Sequence, residues 1–194
     1  MQSTTTVCWR QILVVISLVF LPSVCRSESV DVWIGTTTPR NGLSRGVYHA
    51  RLDLATGKLT TPTLAAELAS PGFVALHPNQ HVLYATCQIK RRGSVASFAI
   101  ETQDGQSTLK PLNSVEIGDG GAAHLTVGRL GKCLLTAQYG GGSVALFPLD
   151  DQGKVGDRAV LVKHKGGSRI VGNRQDSPHA HWVGTDANNR FAFV

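Results

Sequence analysis

Apolar and polar residues alternate in short stretches along most of this chain, and the stretches recur at a steady spacing. Residues 74–85 return as residues 125–136, an offset of 51 (125 minus 74). The alternating residues 93–98 return as residues 142–147, an offset of 49 (142 minus 93). Short apolar runs separated by polar turns predict strands and not long helices. The pattern therefore predicts a repeated β unit of about 50 residues.

Partial copies of the unit flank the two full ones. An earlier copy occupies residues 32–35 and 46–53, and a later copy begins at Val183, with its polar turn at 188–190. Each full unit contains four strands, and Asp/Gly turns recur within it. Four antiparallel strands per roughly 50 residues are typical of a β-propeller blade, with a β-sandwich as the alternative. We predict an all-β chain, a β-propeller of four-stranded antiparallel blades.

The length of the chain limits how much of a propeller it contains. About three units fit into residues 30–194, whereas propellers close with about four to eight blades. We therefore expect residues 28–194 to form a partial propeller with open sheet edges, and Val194 to be a truncation point.

The first residues have the pattern of a secretory signal. Arg10 precedes the apolar run 12–21, and small residues follow. A run of roughly a dozen apolar residues is short for a membrane span, which needs about 20. We expect residues 1–27 to be a signal peptide, the protein to be exported to a periplasm or secreted, and no membrane association after cleavage. An uncleaved anchor is the alternative.

The charge of the chain argues against a nucleic-acid partner. The formal net charge of +6 falls to +4 without residues 1–27, which contain Arg10, Arg26 and no carboxylate. This basicity is mild, and the one basic cluster, residues 90–92, has no interleaved aromatic residues. We therefore predict no nucleic-acid partner. The 21 glycines and the low charged fraction of 16% favour turns between short strands.

Two cysteines remain after residue 27, and both lie in apolar runs. Cys87 and Cys133 occupy non-equivalent positions of the repeat. We predict two buried thiols rather than a disulfide. The sequence has no CxxC pair and no spaced Cys/His zinc pattern, so we predict no metal and no cofactor.

Two histidines lie at the entrance to the last predicted strands. His179 and His181 fall within residues 177–181, directly before an apolar run. Imidazole titrates near neutral pH, so such a pair can supply a general base, a metal ligand or a hydrogen-bonded corner. A metal site requires further ligands, and no carboxylate has a suggestive spacing. His124 begins the preceding inner strand and can line the same channel or cap a turn.

Five motifs together resemble a known family: residues 73–79, 83–85, 120–127, 137–145 and 177–181. The chain is similar to the seven-bladed propeller lactonases, which include the propeller type of 6-phosphogluconolactonase and the fungal carboxy-muconate lactonizing enzyme. The resemblance implies hydrolysis of a sugar-derived lactone, usually phosphogluconolactone, without a required metal.

The resemblance also implies roles for individual residues. A histidine at the central channel acts in the family with an arginine and a glutamate from the following blade. The resemblance implies that His179 is the catalytic base, with His181 as the second choice. It also implies that the arginine and the glutamate lie beyond Val194. We therefore expect this stretch alone to be inactive. His124 and Arg174, which lies in the loop before the histidines, are predicted to contact an anionic lactone substrate; a solvated loop is the alternative for Arg174.

Other features favour different functions or only a structural role. Relatives often have Asn-Glu where this chain has Cys87 and Gln88, so any carboxylate at that rim is lost. A secreted, non-catalytic binding propeller and a muconate-type lactonizing enzyme are the alternative functions. His77, in a tight turn, and the glycines of residues 140–142, which join two strands, are predicted to be structural.

Overall fold

The fold is described by a computed structural model that covers residues 28–38, 41–172 and 174–194. The predicted signal peptide lies outside the described residues. The described residues form thirteen strands in four antiparallel sheets. The first sheet contains β1 (Ser29–Ile34), β2 (Gly46–Asp53) and β3 (Thr63–Glu67). The second contains β4 (Val74–Leu76), β5 (Val82–Ile89), β6 (Arg92–Gln103) and β7 (Gln106–Glu116). The third contains β8 (Ala122–Val127), β9 (Cys133–Gln138), β10 (Ser143–Pro148) and β11 (Val160–Lys163), and the fourth β12 (Gly184–Thr185) and β13 (Ala192–Phe193).

The strands follow one another in each sheet, as the repeat predicts. The registers are equivalent as well, because Val74 pairs with Ala85 in the second sheet and Leu125 pairs with Thr136 in the third, at the offset of 51. The prediction of an all-β chain with four-stranded antiparallel blades is confirmed for the second and third sheets. In sequence, β1 corresponds to β5, so the first sheet contains the three outer strands of a blade.

Apolar clusters join neighbouring sheets face to face. Tyr84 and Phe147, both completely buried, belong to the cluster between the second and third sheets. Val47 and Leu83 pack between the first and second sheets. Ala137 and Val183 belong to a smaller cluster between the third and fourth. Since each cluster draws on two consecutive sheets, burial of apolar surface fixes the order in which the blades stack.

The connections lie on two rims. We call the edge at which β4, β8 and β12 begin the upper rim; it carries the loops 68–73, 90–91, 117–121, 139–142 and 164–183, the last of which is described except at residue 173. The opposite edge is the lower rim. There His77 Nε2 lies 3.0 Å from the carbonyl oxygen of Gly131, and its Nδ1 accepts a hydrogen bond from the amide of Asn79. His77 therefore links the turns of two blades, and its predicted structural role is confirmed.

The two cysteines are free thiols, as predicted, but only Cys87 is fully buried. Cys133 is half-buried at the start of β9, next to the turn that contains Gly128. Within the described ranges, we find no helix with the length and apolar character that a membrane span requires.

Candidate functional site

His179 is held against the end of β9. Its Nδ1 lies 2.9 Å from the carbonyl oxygen of Tyr139, and the two rings stack with centroids 4.4 Å apart and an interplanar angle of 18°. A carbonyl oxygen can only accept a hydrogen bond, so Nδ1 carries the proton. In the neutral imidazole this leaves the lone pair on Nε2, which is the form required of a base.

Tyr139 is a site residue that the sequence reasoning did not single out. It contacts both predicted catalytic histidines, because the His181 ring meets it edge-on at 5.8 Å and 88°. His181 itself is exposed and His179 is half-buried. The available signal was the position of Tyr139 directly before three glycines, at the upper-rim end of a strand.

The glycines that follow Tyr139 are required by two neighbouring loops. Gly142 has a φ of 62°, and a Cβ at this position would lie 2.5 Å from the carbonyl oxygen of Pro178. A Cβ on Gly141 would lie 2.2 Å from Oδ2 of Asp119. The turn 139–142 therefore fits between residues 117–121 and the segment that carries His179. This close packing brings Tyr139 and His179 together.

A buried polar network lies behind Tyr139. Gln138 is completely buried, and its side-chain amide donates to Thr136 Oγ1. Its Oε1 accepts a hydrogen bond of 2.9 Å from Ser143 Oγ. Buried amides are costly unless they are hydrogen-bonded, so this pairing supports one position for the end of β9.

His124 joins three blades rather than capping a turn. It lies in β8, with Phe73 on one side at 4.2 Å and Trp182 on the other at 5.8 Å between ring centroids. The three rings occupy equivalent positions of the repeat: Phe73 lies just before β4, His124 lies in β8, and Trp182 lies just before β12. Nδ1 of His124 accepts a hydrogen bond from the amide of Val183 at 3.4 Å.

His124 has a lowered pKa. Burial disfavours its charged form, and the nearby charge of His181 acts in the same direction. The lowered pKa favours neutral imidazole, and the hydrogen bond that Nδ1 accepts assigns the proton to Nε2. His124 can therefore donate one hydrogen bond from Nε2 to a ligand.

Arg174 lies in loop 164–183, which connects β11 to β12. Gln175 organises that loop, since its Oε1 accepts from Ser168 Oγ at 2.7 Å and from the amide of Val171 at 3.2 Å. Arg174 is exposed. Among the described residues, its side chain makes no hydrogen bond or ion pair with the three histidines, so the structure does not bring Arg174 into this cluster.

Asp119 is the carboxylate next to the turn 139–142. Its Oδ1 pairs with Lys163 Nζ at 2.9 Å, and its side chain is 13% exposed. Burial opposes ionisation, but the hydrogen bond from Lys163 and the positive charges of Lys163 and Arg158 outweigh it. The pKa of Asp119 is thus lowered, and its charge is balanced from β11. In the part of the chain described here, no group of three or more His, Cys, Asp or Glu side chains could hold a metal ion.

Comparison with known proteins agrees with this architecture. The family profile described as "Lactonase, 7-bladed beta-propeller" matches residues 31–194. A 6-phosphogluconolactonase of Bacillus subtilis is 32% identical over 152 residues, which are 78% of this chain and 42% of the relative. A 6-phosphogluconolactonase of Formosa agariphila is 24% identical over 165 residues, 84% of this chain and 46% of the relative.

A solved structure extends the comparison. The crystal structure of a candidate 6-phosphogluconolactonase from Bacteroides fragilis superposes with a TM-score of 0.76 at 28% identity, covering 88% of this chain and 46% of that one. The chain therefore spans less than half the length of these relatives. The match over residues 31–194, together with the successive antiparallel blades, shows that this chain belongs to the seven-bladed β-propeller lactonase family.

Proposed function

We propose that the protein hydrolyses a sugar-derived lactone and that His179 is the general base. The observation that carries this proposal is the hydrogen bond from His179 Nδ1 to the carbonyl oxygen of Tyr139. It commits the ring proton to Nδ1, so Nε2 can accept a proton from water. The relatives named 6-phosphogluconolactonase support the substrate class.

The proposed reaction adds water across the ester bond of the lactone. As Nε2 of His179 takes one proton, the water oxygen bonds to the carbonyl carbon and the carbonyl electron pair moves to its oxygen. When that pair returns, the bond to the ring oxygen breaks. The ring oxygen takes the proton from Nε2, which leaves a hydroxy acid and neutral His179.

His124 and His181 are proposed to bind the substrate beside this base. The Nε2–H of neutral His124 is a donor for a substrate hydroxyl or for the developing oxyanion. His181 shares the Tyr139 ring with His179 and is exposed, so it can approach the same ligand. We propose that Arg174 contacts an anionic substituent of the substrate that extends to loop 164–183.

The experiment that tests the proposal is a lactone assay on the full-length product of the gene that encodes this chain. Acid release from δ-gluconolactone, its 6-phosphate and a muconolactone is followed above the spontaneous rate. Turnover of either gluconolactone supports the proposal. Binding of a lactone without turnover would favour a binding propeller, and turnover of the muconolactone alone would favour the lactonizing type; either result would overturn it.

We also propose that the protein is exported after removal of residues 1–27. The proposal rests on the sequence pattern around Arg10 and the apolar run 12–21. Sequencing the mature N-terminus from the extracellular or periplasmic fraction tests it. A mature chain that starts at or near Glu28 is expected, and a cytoplasmic protein that retains Met1 would contradict export.

A further inference from the structure

A cleft of about 290 Å³ opens on the upper rim between the second and third sheets. The turn between β5 and β6 and the loop 117–121 form its walls. It lies one blade before the histidine site and corresponds to it in the repeat. Gly93 packs against the carbonyl oxygen of Gly120, and its equivalent in the next blade, Gly142, packs against the carbonyl oxygen of Pro178. Gly120 therefore corresponds to Pro178, and the residue that follows it, Gly121, corresponds to His179.

The cleft is open at the position where the next blade carries an imidazole. A Cβ built on Gly121 would meet no atom within 4 Å, and Gly121 has no positive φ. Gln88, which corresponds to Tyr139 at the offset of 51, also lines the cleft. In the second blade, Gln88 and Gly121 therefore occupy the positions of the stacked tyrosine and histidine, and the absence of a side chain on Gly121 leaves the cleft open.

The loop beside the cleft presents unused amide groups. Gly118 and Gly120 have φ values of 81° and 71°, while Asp119 and Gly121 between and after them do not have positive φ. Across the described ranges, the amides of these four residues donate no hydrogen bond to another protein group. Successive backbone amides in a turn conformation, such as this glycine-rich loop, can form a concave surface that binds anions.

The charges around the cleft leave a positive excess. Glu116 is paired with Arg92 at 3.0 Å, and Asp119 is paired with Lys163. Arg158 also reaches this loop, where it donates a hydrogen bond to the carbonyl oxygen of Ile117. Arg91 lines the cleft, is exposed and makes no ion pair within the described part of the chain. Each carboxylate thus has a cationic partner, although Oδ2 of Asp119 is buried without a hydrogen bond among the described residues, and the Arg91 guanidinium is available to a ligand.

We propose that this cleft binds a small oxyanion of the phosphate class, through the Arg91 guanidinium and the amides of residues 118–121. Guanidinium and backbone N–H groups commonly donate hydrogen bonds to phosphate oxygens in proteins. The side-chain amide of Gln88 is a further donor. The site is separate from His179, so it stands whether or not His179 is catalytic. The anion can be free inorganic phosphate or the phosphate of a sugar phosphate monoester.

The test is a titration of the full-length, [¹⁵N]glycine-labelled protein, first with inorganic phosphate and then with glucose 6-phosphate. Both probes should shift the amide signals of Gly118, Gly120 and Gly121. Tighter binding of glucose 6-phosphate would identify a phosphate ester as the source, and tighter binding of inorganic phosphate would identify the free anion. Absence of shifts with both probes, or shifts confined to other glycines, would overturn the proposal.

Two variants localise the binding. Arg91→Gln, on an exposed turn, should weaken phosphate binding by about tenfold or more, the usual effect of losing a charge-assisted hydrogen bond. Gly121→Leu should fill the cleft and abolish binding. The matched controls are Lys58→Gln, on the lower rim, and Gly172→Leu, whose Cβ also meets no atom within 4 Å. Affinity for phosphate that Arg91→Gln leaves unchanged would contradict the proposed site.

Discussion

The imidazole of His179 and the backbone of Tyr139 form the hydrogen bond that organises the candidate site. Nδ1 and the carbonyl oxygen are 2.9 Å apart, and the rings are stacked at 18°. The carbonyl determines the tautomer and the ring determines the orientation. Because the first contribution comes from the backbone and the second from the side chain, substitutions can separate them.

Tyr139→Leu should retain the backbone hydrogen bond and remove the stacked ring. Aromatic pairs contribute about 0.5–1.5 kcal/mol, so we expect kcat for lactone hydrolysis to fall by about 2- to 12-fold. Tyr139→Phe, which retains the ring, is the control and should keep nearly full activity. Equal losses in the two variants would show that the phenol hydroxyl, and not the stacking, matters.

The glycines next to Tyr139 should differ sharply in their tolerance of a methyl group. Gly142→Ala combines a positive φ with a collision against Pro178, so we expect a loss of about 1–3 kcal/mol in the free energy of unfolding. Gly140 has neither feature, and Gly140→Ala should stay within about 0.5 kcal/mol of the parent. Urea unfolding of both variants checks this. Similar stabilities would contradict the packing of the turn 139–142.

His124 should make stability depend on pH in a defined direction. Its folded-state pKa is lowered below the unfolded value of about 6.5, so the unfolded chain binds a proton more readily. This contribution is fully present above about pH 6.5 and is lost as the pH falls toward the folded-state pKa. His124→Phe, which retains a ring beside Phe73, should lose less stability on acidification than the parent. Urea unfolding at several pH values measures the difference, and identical pH dependence would contradict it.

Cys87 should be unreactive in the folded protein. Burial raises the pKa of its thiol to about 12, which leaves little thiolate at neutral pH. Alkylation followed by peptide mass spectrometry should show Cys87 protected under native conditions and modified in urea. Rapid native modification of Cys87 would contradict its place between the first and second sheets.

The repeat made most of the fold predictable, because offsets and turn chemistry recur together from residue 74 onward. The site was less accessible to the same reasoning. Tyr139 contacts His179 only because loop 164–183 returns to the blade it left, and the length of a loop does not reveal its path. Phe73 and His124 lie at the offset of 51, but three unlike rings at equivalent positions give no signal in the sequence that they contact one another across three blades.

The anion cleft illustrates the same limit on sequence reasoning. Residues 90–92 form a basic cluster, and the sequence indicates neither that Arg92 is paired with Glu116 nor that Arg91 is unpaired. Likewise, the pairing of Asp119 with Lys163 joins residues far apart in the chain. Such pairings depend on which rim each loop occupies, and only the assembled blades determine that.

The central claim is that His179 is the base, and the most direct measurement is lactone hydrolysis by His179→Gln in the full-length protein. A general base contributes about 10²- to 10⁴-fold, so kcat/KM should fall by at least about 100-fold while the circular dichroism of the sheets is unchanged. His81→Gln, an exposed lower-rim substitution, is the matched control and should have parental activity. A His179→Gln protein that hydrolyses the lactone as fast as the His81→Gln control would contradict the account.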